Sequence, residues 1–412
     1  MKRYLLFFLL LFFPCLNSFS EVLSYKSPVL LARANISDGY QLPAMSFLSN
    51  TSPVINNSGD VSFKIMSIGG QDQQGLWVKN KAKPLGEIIY TAPESRLLSD
   101  PSLNNSGLIT FNQYDEGVTD GVFTFDGIHQ KLTQVINPEN KNILYYTYSQ
   151  TNSNGVTIFR GTSEDNLRSF YSYEKNLSLL IAEDDSTDSQ KTSYLFKPSL
   201  NENGAISFKR RLGERGEWSE SQGDEILLLR RVSGHYERVS IAQDKDLNQN
   251  SNFLSFYNST SLSNNGKVAF SAMLLDSKKA IMLWENEALL TLAVEGQDDL
   301  GEIELFSPVV NDQGLVAFRA KNKEGLRGIY VASKSGVKKI ISEGDEIETD
   351  QGPGKILSNP NFPGFGGEIN MNDKGEIVFH CLITSMKDNR ELGSAVYVVS
   401  PELDLSKFVE TH

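Results

Sequence analysis

The histidines are the first place to look for acid–base or metal chemistry. His129, His235, His380 and His412 are scattered along the chain, and none has a partner at the spacing of a zinc ligand set. The sequence contains no His-Glu-x-x-His, no phosphate loop, no dinucleotide fingerprint and no Gly-x-Ser-x-Gly nucleophile elbow. The glycine-rich stretch from Gly352 to Gly367 lacks the strand-to-helix context that cradles phosphate, and it reads as a loop. Cys381 follows Phe379 and His380 in an apolar run, which suits a buried, inert thiol better than a nucleophile. Asp244, Asp246 and Asn248 open like a calcium loop, with Asn252 at a later ligand position. Gln249, however, stands where the sharp turn of such loops needs Gly. An acidic turn is the favoured reading there, and calcium the alternative. Arg210, Arg211, Arg215, Arg230, Arg231 and Arg238 are interleaved with Glu214, Glu217, Glu220, Asp224, Glu225 and Glu237, which describes an ion-paired hairpin better than a polyanion site. Carboxylates are too many and too scattered to single out a glycosidase pair. No residue is therefore assigned as catalytic, cofactor-binding or metal-binding, and no cofactor is implied.

The bulk composition narrows the partners. The 412 residues carry 39 Lys and Arg against 51 Asp and Glu, a net charge of −12, which argues against nucleic acid or an anionic membrane as the target. Lys2 and Arg3 precede an apolar run from Leu5 to Phe13, and small polar residues follow to Ser20. Residues 1–20 thus read as a secretory signal peptide, and the apolar run is short of the ~20 residues needed to span a bilayer. Lipid attachment at Cys15 is the lesser alternative, because Phe13 and Pro14 fit it poorly. The expected mature chain, residues 21–412, has one cysteine, so its fold must be held by its core rather than by a disulfide. It is expected to be exported, periplasmic or secreted, without a transmembrane anchor, and monomeric.

What must position any site is a repeat. Asn-x-x-Gly-x-apolar-x-Phe recurs, ending at Phe63, Phe111, Phe159, Phe208, Phe270, Phe318 and Phe379, with Ser263 in place of Asn in the fifth copy. Successive spacings are 48, 48, 49, 62, 48 and 61 residues. Pro53, Pro101, Pro198 and Pro308 each fall six residues before the repeat glycine. Asn-x-x-Gly is turn chemistry, and the alternation after it has the period of a strand. A second apolar strand follows about a dozen residues on, as in Gly328-Ile329-Tyr330-Val331, and then a third, as in Lys338 to Ile341. With the segment before each turn, that makes four short strands per unit, which predicts a seven-bladed β-propeller with four-stranded blades. The last unit lacks its final strand, and the orphan Val29-Leu30-Leu31-Ala32 is expected to supply it and close the ring.

The consensus Pro-x-x-Asn-x-x-Gly-x-Val-x-Phe, then Gly-Ile-Tyr-Val, then Ala-x-Glu-Gly-Asp, resembles tandem repeats of secreted bacterial β-propeller proteins of uncharacterised function. More distantly it is similar to the blades of TolB-like propellers. The sixth unit matches best, at Asn311, Gly314, Val316, Phe318, Ile329, Tyr330, Glu343, Gly344 and Asp345. The resemblance implies architecture and carries over no catalytic residue.

Three expansions, Phe208 to Leu228, Thr349 to Gly367 and Phe379 to Tyr397, should project from the rim opposite the Asn-x-x-Gly turns. A regular scaffold with one irregular rim and no catalytic constellation reads as an exported, non-enzymatic binding protein for a protein or glycan. The alternative is a carbohydrate hydrolase or lyase with its site in the central funnel.

Overall fold

Each repeat tetrapeptide closes a hairpin for two local reasons. The glycine takes φ between 75° and 88° in all seven copies, a conformation open to a residue without Cβ, and its N–H donates to the first residue's carbonyl, as from Gly314 to Asn311 at 3.0 Å. The asparagine Oδ1 accepts main-chain N–H groups further along; Asn152, for example, takes those of Asn154 and Val156. Ser263 Oγ makes the equivalent bond from Lys267 N at 3.0 Å.

The computed structural model describes residues 23–402 apart from 116–117, 128, 138–142, 186–189, 216–221 and 360. The expected signal peptide, Cys15, Glu217, Glu220 and His412 lie outside the described residues. Six blades follow one another along the chain. Blade one comprises Val54–Ile55, Val61–Ile65, Gly75–Lys79 and Glu87–Thr91. Blade two runs from Arg96–Leu98 to Lys131–Ile136, blade three from Ile143–Thr151 to Leu177–Ala182, and blade four from Thr192–Leu195 to His235–Gln243. Blade five spans Phe253–Leu262 to Ala288–Val294, and blade six Leu300–Ile303 to Gly336–Ser342.

The expectation of seven equivalent four-stranded blades is corrected here. The last sheet is not a seventh blade of the same build but a seven-stranded closing element drawn from both parts of the chain. It holds Glu346–Thr349, Gly352–Ile356, Phe365–Met371, Ile377–Ser385 and Glu391–Val399, together with Val29–Ala34 and Gly39–Tyr40 from the start of the described chain. The segment from Thr349 to Gly367, read as a projecting loop, is in part sheet: it contains the strand Gly352–Ile356 and the start of Phe365–Met371. Ile347 and Ile356 are buried, and Gly354 approaches Thr384 O so closely that a Cβ would sit 2.8 Å from it. Val29 pairs with Val398 and Ala34 with Ser394, which completes the ring.

The repeat phenylalanines pack in the blade cores, all at most 1% exposed. Five face an aromatic on the neighbouring strand: Phe63 on Trp77, Phe111 on Phe123, Phe159 on Tyr171, Phe318 on Tyr330 and Phe379 on Tyr397. Their ring centroids are 4.6 to 5.9 Å apart. Such pairs add to area burial and fix register at the same position in successive units.

Candidate functional site

The innermost strands do not run straight. In each of blades two, four and six the strand breaks, between Leu98 and Ser102, Leu195 and Ser199, and Ile303 and Val309, and a proline precedes the point where pairing resumes. Proline has no N–H to give a ladder, so Pro101, Pro198 and Pro308 sit where the ladder is already interrupted. Blades three and five and the closing sheet carry the corresponding irregularities at Thr147 to Gln150, Phe256 to Thr260 and Gly366 to Asn370. These outpouched residues line a central channel of about 1160 Å³ to which all seven sheets contribute.

At the turn end the channel has a laced floor. Asparagine amides pass from one unit to the next: Asn56 Nδ2 donates to Asn104 O, Asn152 to Asn201 O, Asn201 to Ser263 O, and Asn372 to Asn56 O, at 2.9 to 3.2 Å. Inside this ring, Glu202 accepts from Asn105 N and Ser153 N and so ties blades two, three and four. Asp373 accepts from Asn57 Nδ2, Asn264 Nδ2 and Asp312 N and ties blades one, five and six to the closing sheet. The residue after the turn asparagine thus builds the floor in every unit. Sequence reasoning treated these turns as architecture alone. The signal was present, since that position is Asn57, Asn105, Ser153, Glu202, Asn264, Asp312 or Asp373, polar in all seven copies.

The other half of the channel is aromatic and charged. Arg319, 3% exposed, pairs through Nε with Glu304 at 2.8 Å, donates to Gly367 O at 2.6 Å and stacks 3.9 Å from the Phe306 ring. Arg327 holds the second Glu304 oxygen at 3.0 Å. Burial pulls the Arg319 guanidinium below its ordinary pKa even though Glu304 opposes that shift. Across the channel, Lys197 of blade four is ion-paired with Glu368 of the closing sheet. Glu304 and Glu368 are therefore both ion-paired within the channel. Arg160 differs. Its Nη1 donates to Leu195 O at 2.8 Å and its Nε to Thr147 Oγ1 at 3.2 Å, and its guanidinium lies 4.6 Å from the Tyr148 ring. No described carboxylate pairs with it.

His380 lies behind the channel wall, fully buried. A Cβ on Gly366 would sit 2.3 Å from its Nδ1, so only glycine fits beside the imidazole. Neither ring nitrogen reaches a hydrogen-bond partner in good geometry. Burial pulls its pKa down to about 4, aided by the Arg319 charge and opposed by the Gly366 main chain. Of the other histidines, His129 is exposed and bonded to Asp126, and His235 is exposed in an outer strand. Cys381 is buried, and desolvation pushes its thiol well above the range in which a thiolate forms at neutral pH. Asp244 spends its carboxylate on the main-chain N–H groups of Asp224, Asp246 and Leu247, an acidic turn, and burial raises its pKa. Among the described residues no His, Cys, Asp and Glu group could hold a metal ion. Two arginines of blade four pair within its hairpin, Arg210 with Glu225 and Arg211 with Asp224, but Arg210 and Glu225 are buried rather than solvated, and Arg231 reaches Glu174 of blade three. No helix among the described residues is long and apolar enough to cross a membrane.

A closed ring of antiparallel sheets around a lined channel defines the class, a β-propeller. Within that class the chain belongs to the family of unknown function DUF7453, whose model matches residues 38–402. No curated protein sequence matches the chain. Among solved structures it is similar to an oligogalacturonate lyase in complex with manganese, at TM-score 0.57 and 8% identity, covering 92% of this chain and 98% of that one. It is also similar to the β-propeller domain of the Trilobed protease from Pyrococcus furiosus, at TM-score 0.54 and 10% identity over 87% and 98%. A third likeness is to the polysaccharide lyase Uly1, at TM-score 0.51 and 8% identity over 91% and 97%. At these identities the likeness concerns the fold. The Pyrococcus domain is described as having an open velcro topology, whereas here the two parts of the chain pair.

Proposed function

We propose that this protein is an exported binding scaffold whose ligand, a glycan, enters the central channel from the side opposite the Asn-x-x-Gly turns. The observation that carries this reading is the make-up of the open half. Tyr148, Tyr194, Phe196 and Phe306 supply flat apolar faces, and polar and charged groups stand between them, the mixture that sugar rings require. Binding is favoured over hydrolysis because the channel carboxyls are engaged by cations of the wall, Glu304 by Arg319 and Arg327 and Glu368 by Lys197, and so are not free to act on a glycosidic bond. Export rests on the Lys2-Arg3 and Leu5 to Phe13 pattern. The test is a glycan array with the purified protein, followed by Phe306→Ala in the channel and Leu179→Ser on an outer strand. Loss of retention with the first and not the second is expected. Retention unaffected by Phe306→Ala would refute the channel as the site.

The second reading, a carbohydrate lyase, is favoured by the tyrosines Tyr114, Tyr148 and Tyr194 around a cation and by lyases among the structural neighbours. Incubation with uronate polysaccharides, followed by the ultraviolet absorbance of unsaturated products, distinguishes it from binding alone.

A further inference from the structure

Resting on the channel reading above, we propose that Arg160, with Tyr148 and Tyr194, forms an anion subsite that takes the carboxylate of an acidic sugar. Four observations meet at this point. First, in a protein of net charge −12, Arg160 lines the cavity without a described carboxylate partner, whereas Lys197, Arg319 and Arg327 are all ion-paired there. Second, its Nε and one Nη1 hydrogen are fixed by Thr147 Oγ1 and Leu195 O, and Nη2 has no acceptor among the described residues. With Nε taken by Thr147 and one Nη1 hydrogen by Leu195, the donors left are Nη2 and the second Nη1 hydrogen, the end-on pair that a carboxylate can accept in bidentate fashion. Third, the Tyr148 ring, 4.6 Å away, and the Tyr194 ring, 5.9 Å away, hold the plane in place. Tyr194 is itself backed by Arg168 at 4.4 Å, whose charge is ion-paired with Glu183 at 3.4 Å, so among the described residues Arg160 is the unpaired cation at this ring. Fourth, Tyr148 has φ of 58° at the irregularity of its inner strand, a left-handed conformation that an aromatic side chain rarely adopts. Such strain persists where the surrounding structure enforces it, and it clusters at ligand sites.

A sugar is the fitting carrier of the carboxylate because of what surrounds the guanidinium. Tyr148 and Tyr194 line the same cavity, and their hydroxyls, which have no partner among the described hydrogen bonds, can bond ring hydroxyls. The cavity, about 1160 Å³, exceeds what a single small acid would fill.

The test uses the full mature chain and isothermal titration with two probes, tetragalacturonate and its methyl ester, which share hydroxyls and shape and differ in charge. The wild type should bind the acid at least tenfold more tightly than the ester, with the preference shrinking as salt is raised. Arg160→Gln should remove the preference and leave ester binding within about threefold. Tyr148→Gly, which relieves the positive φ and so should keep or raise the melting temperature, should weaken acid binding at least fivefold. Equal binding of acid and ester by the wild type, or an unchanged preference in both variants, would overturn the anion subsite while leaving the channel reading intact. Binding of neither probe would overturn the subsite, and binding of other glycans through Phe306 would show that the channel reading survives it.

Discussion

His380 gives the sharpest quantitative test of the buried chemistry. An unfolded histidine titrates near 6.5, whereas in the folded protein desolvation holds it near 4. The unfolded chain therefore binds the extra proton between those values, and stability must rise with pH across the window and fall as pH drops from 6.5 towards 4. Two and a half pH units at about 1.4 kcal/mol each amount to about 3.5 kcal/mol in the acid limit, of which about 3 kcal/mol is lost by pH 4. Carboxylates with lowered pKa, among them Asp38, Glu302 and Glu376, also lose their contribution as pH falls, but through their own lower range. His380→Leu separates the two effects by removing only the imidazole. The assay is urea denaturation of parent and variant at pH 7, 6, 5 and 4. The difference between them should change by about 3 kcal/mol in favour of the variant across the series. Because the imidazole nitrogens are buried without good partners, the variant should not be less stable than the parent at pH 7 by more than the loss of ring packing. Parallel pH profiles for the two proteins would refute the assignment of a neutral, desolvated His380.

Three further outcomes are expected. Arg33, fully buried, is held bidentately by Asp350 at 2.7 and 2.8 Å, so Asp350→Asn should cost about 2–3 kcal/mol in denaturant titration, the remaining Asp38 contact sparing the rest. Phe318→Ala, which empties a core site stacked on Tyr330, should lower stability by about 3–5 kcal/mol, measured by the same titration. Gly367→Ala should destabilise by more than about 1 kcal/mol, because φ is 63° and the new Cβ would meet Thr51 O at 2.2 Å; an unchanged melting curve would show that this wall of the channel yields.

Much of the architecture was legible because it is local. Turn glycines, turn asparagines and the phenylalanine two residues beyond the strand start act within eight residues, and each unit repeats them. The deviations came from long range. The stretch from Thr349 to Gly367 carries the Gly and Pro of a loop, yet partners at Ile383 to Ser385 turn part of it into sheet. Deleting Asp350 to Phe365, a natural step on a loop reading, would remove the Arg33 partner and the strand Gly352–Ile356 together. The prolines at 101, 198 and 308 were visible, but their meaning, an inner strand broken towards the axis, depends on what the ring encloses. Arg160 was not singled out. Its one distinction is that no described carboxylate pairs with it, and its surroundings are assembled from Thr147, Leu195 and Tyr194 of two blades.

Pairing Val29 with Val398 has a kinetic consequence. The two residues stand 369 positions apart, so bringing them together carries a loop-closure entropy of about 5 kcal/mol if nothing between them is yet ordered. Once the six blades have formed, the intervening chain is no longer a free coil and most of that penalty has already been met. Closure should then be a late event, and until it occurs both Val29–Ala34 and the outer edge of Glu391–Val399 offer unpaired ladder groups to any neighbouring chain. A nascent molecule halted at that stage would be an open ring with two adhesive edges, prone to exchange its first strand with a second copy.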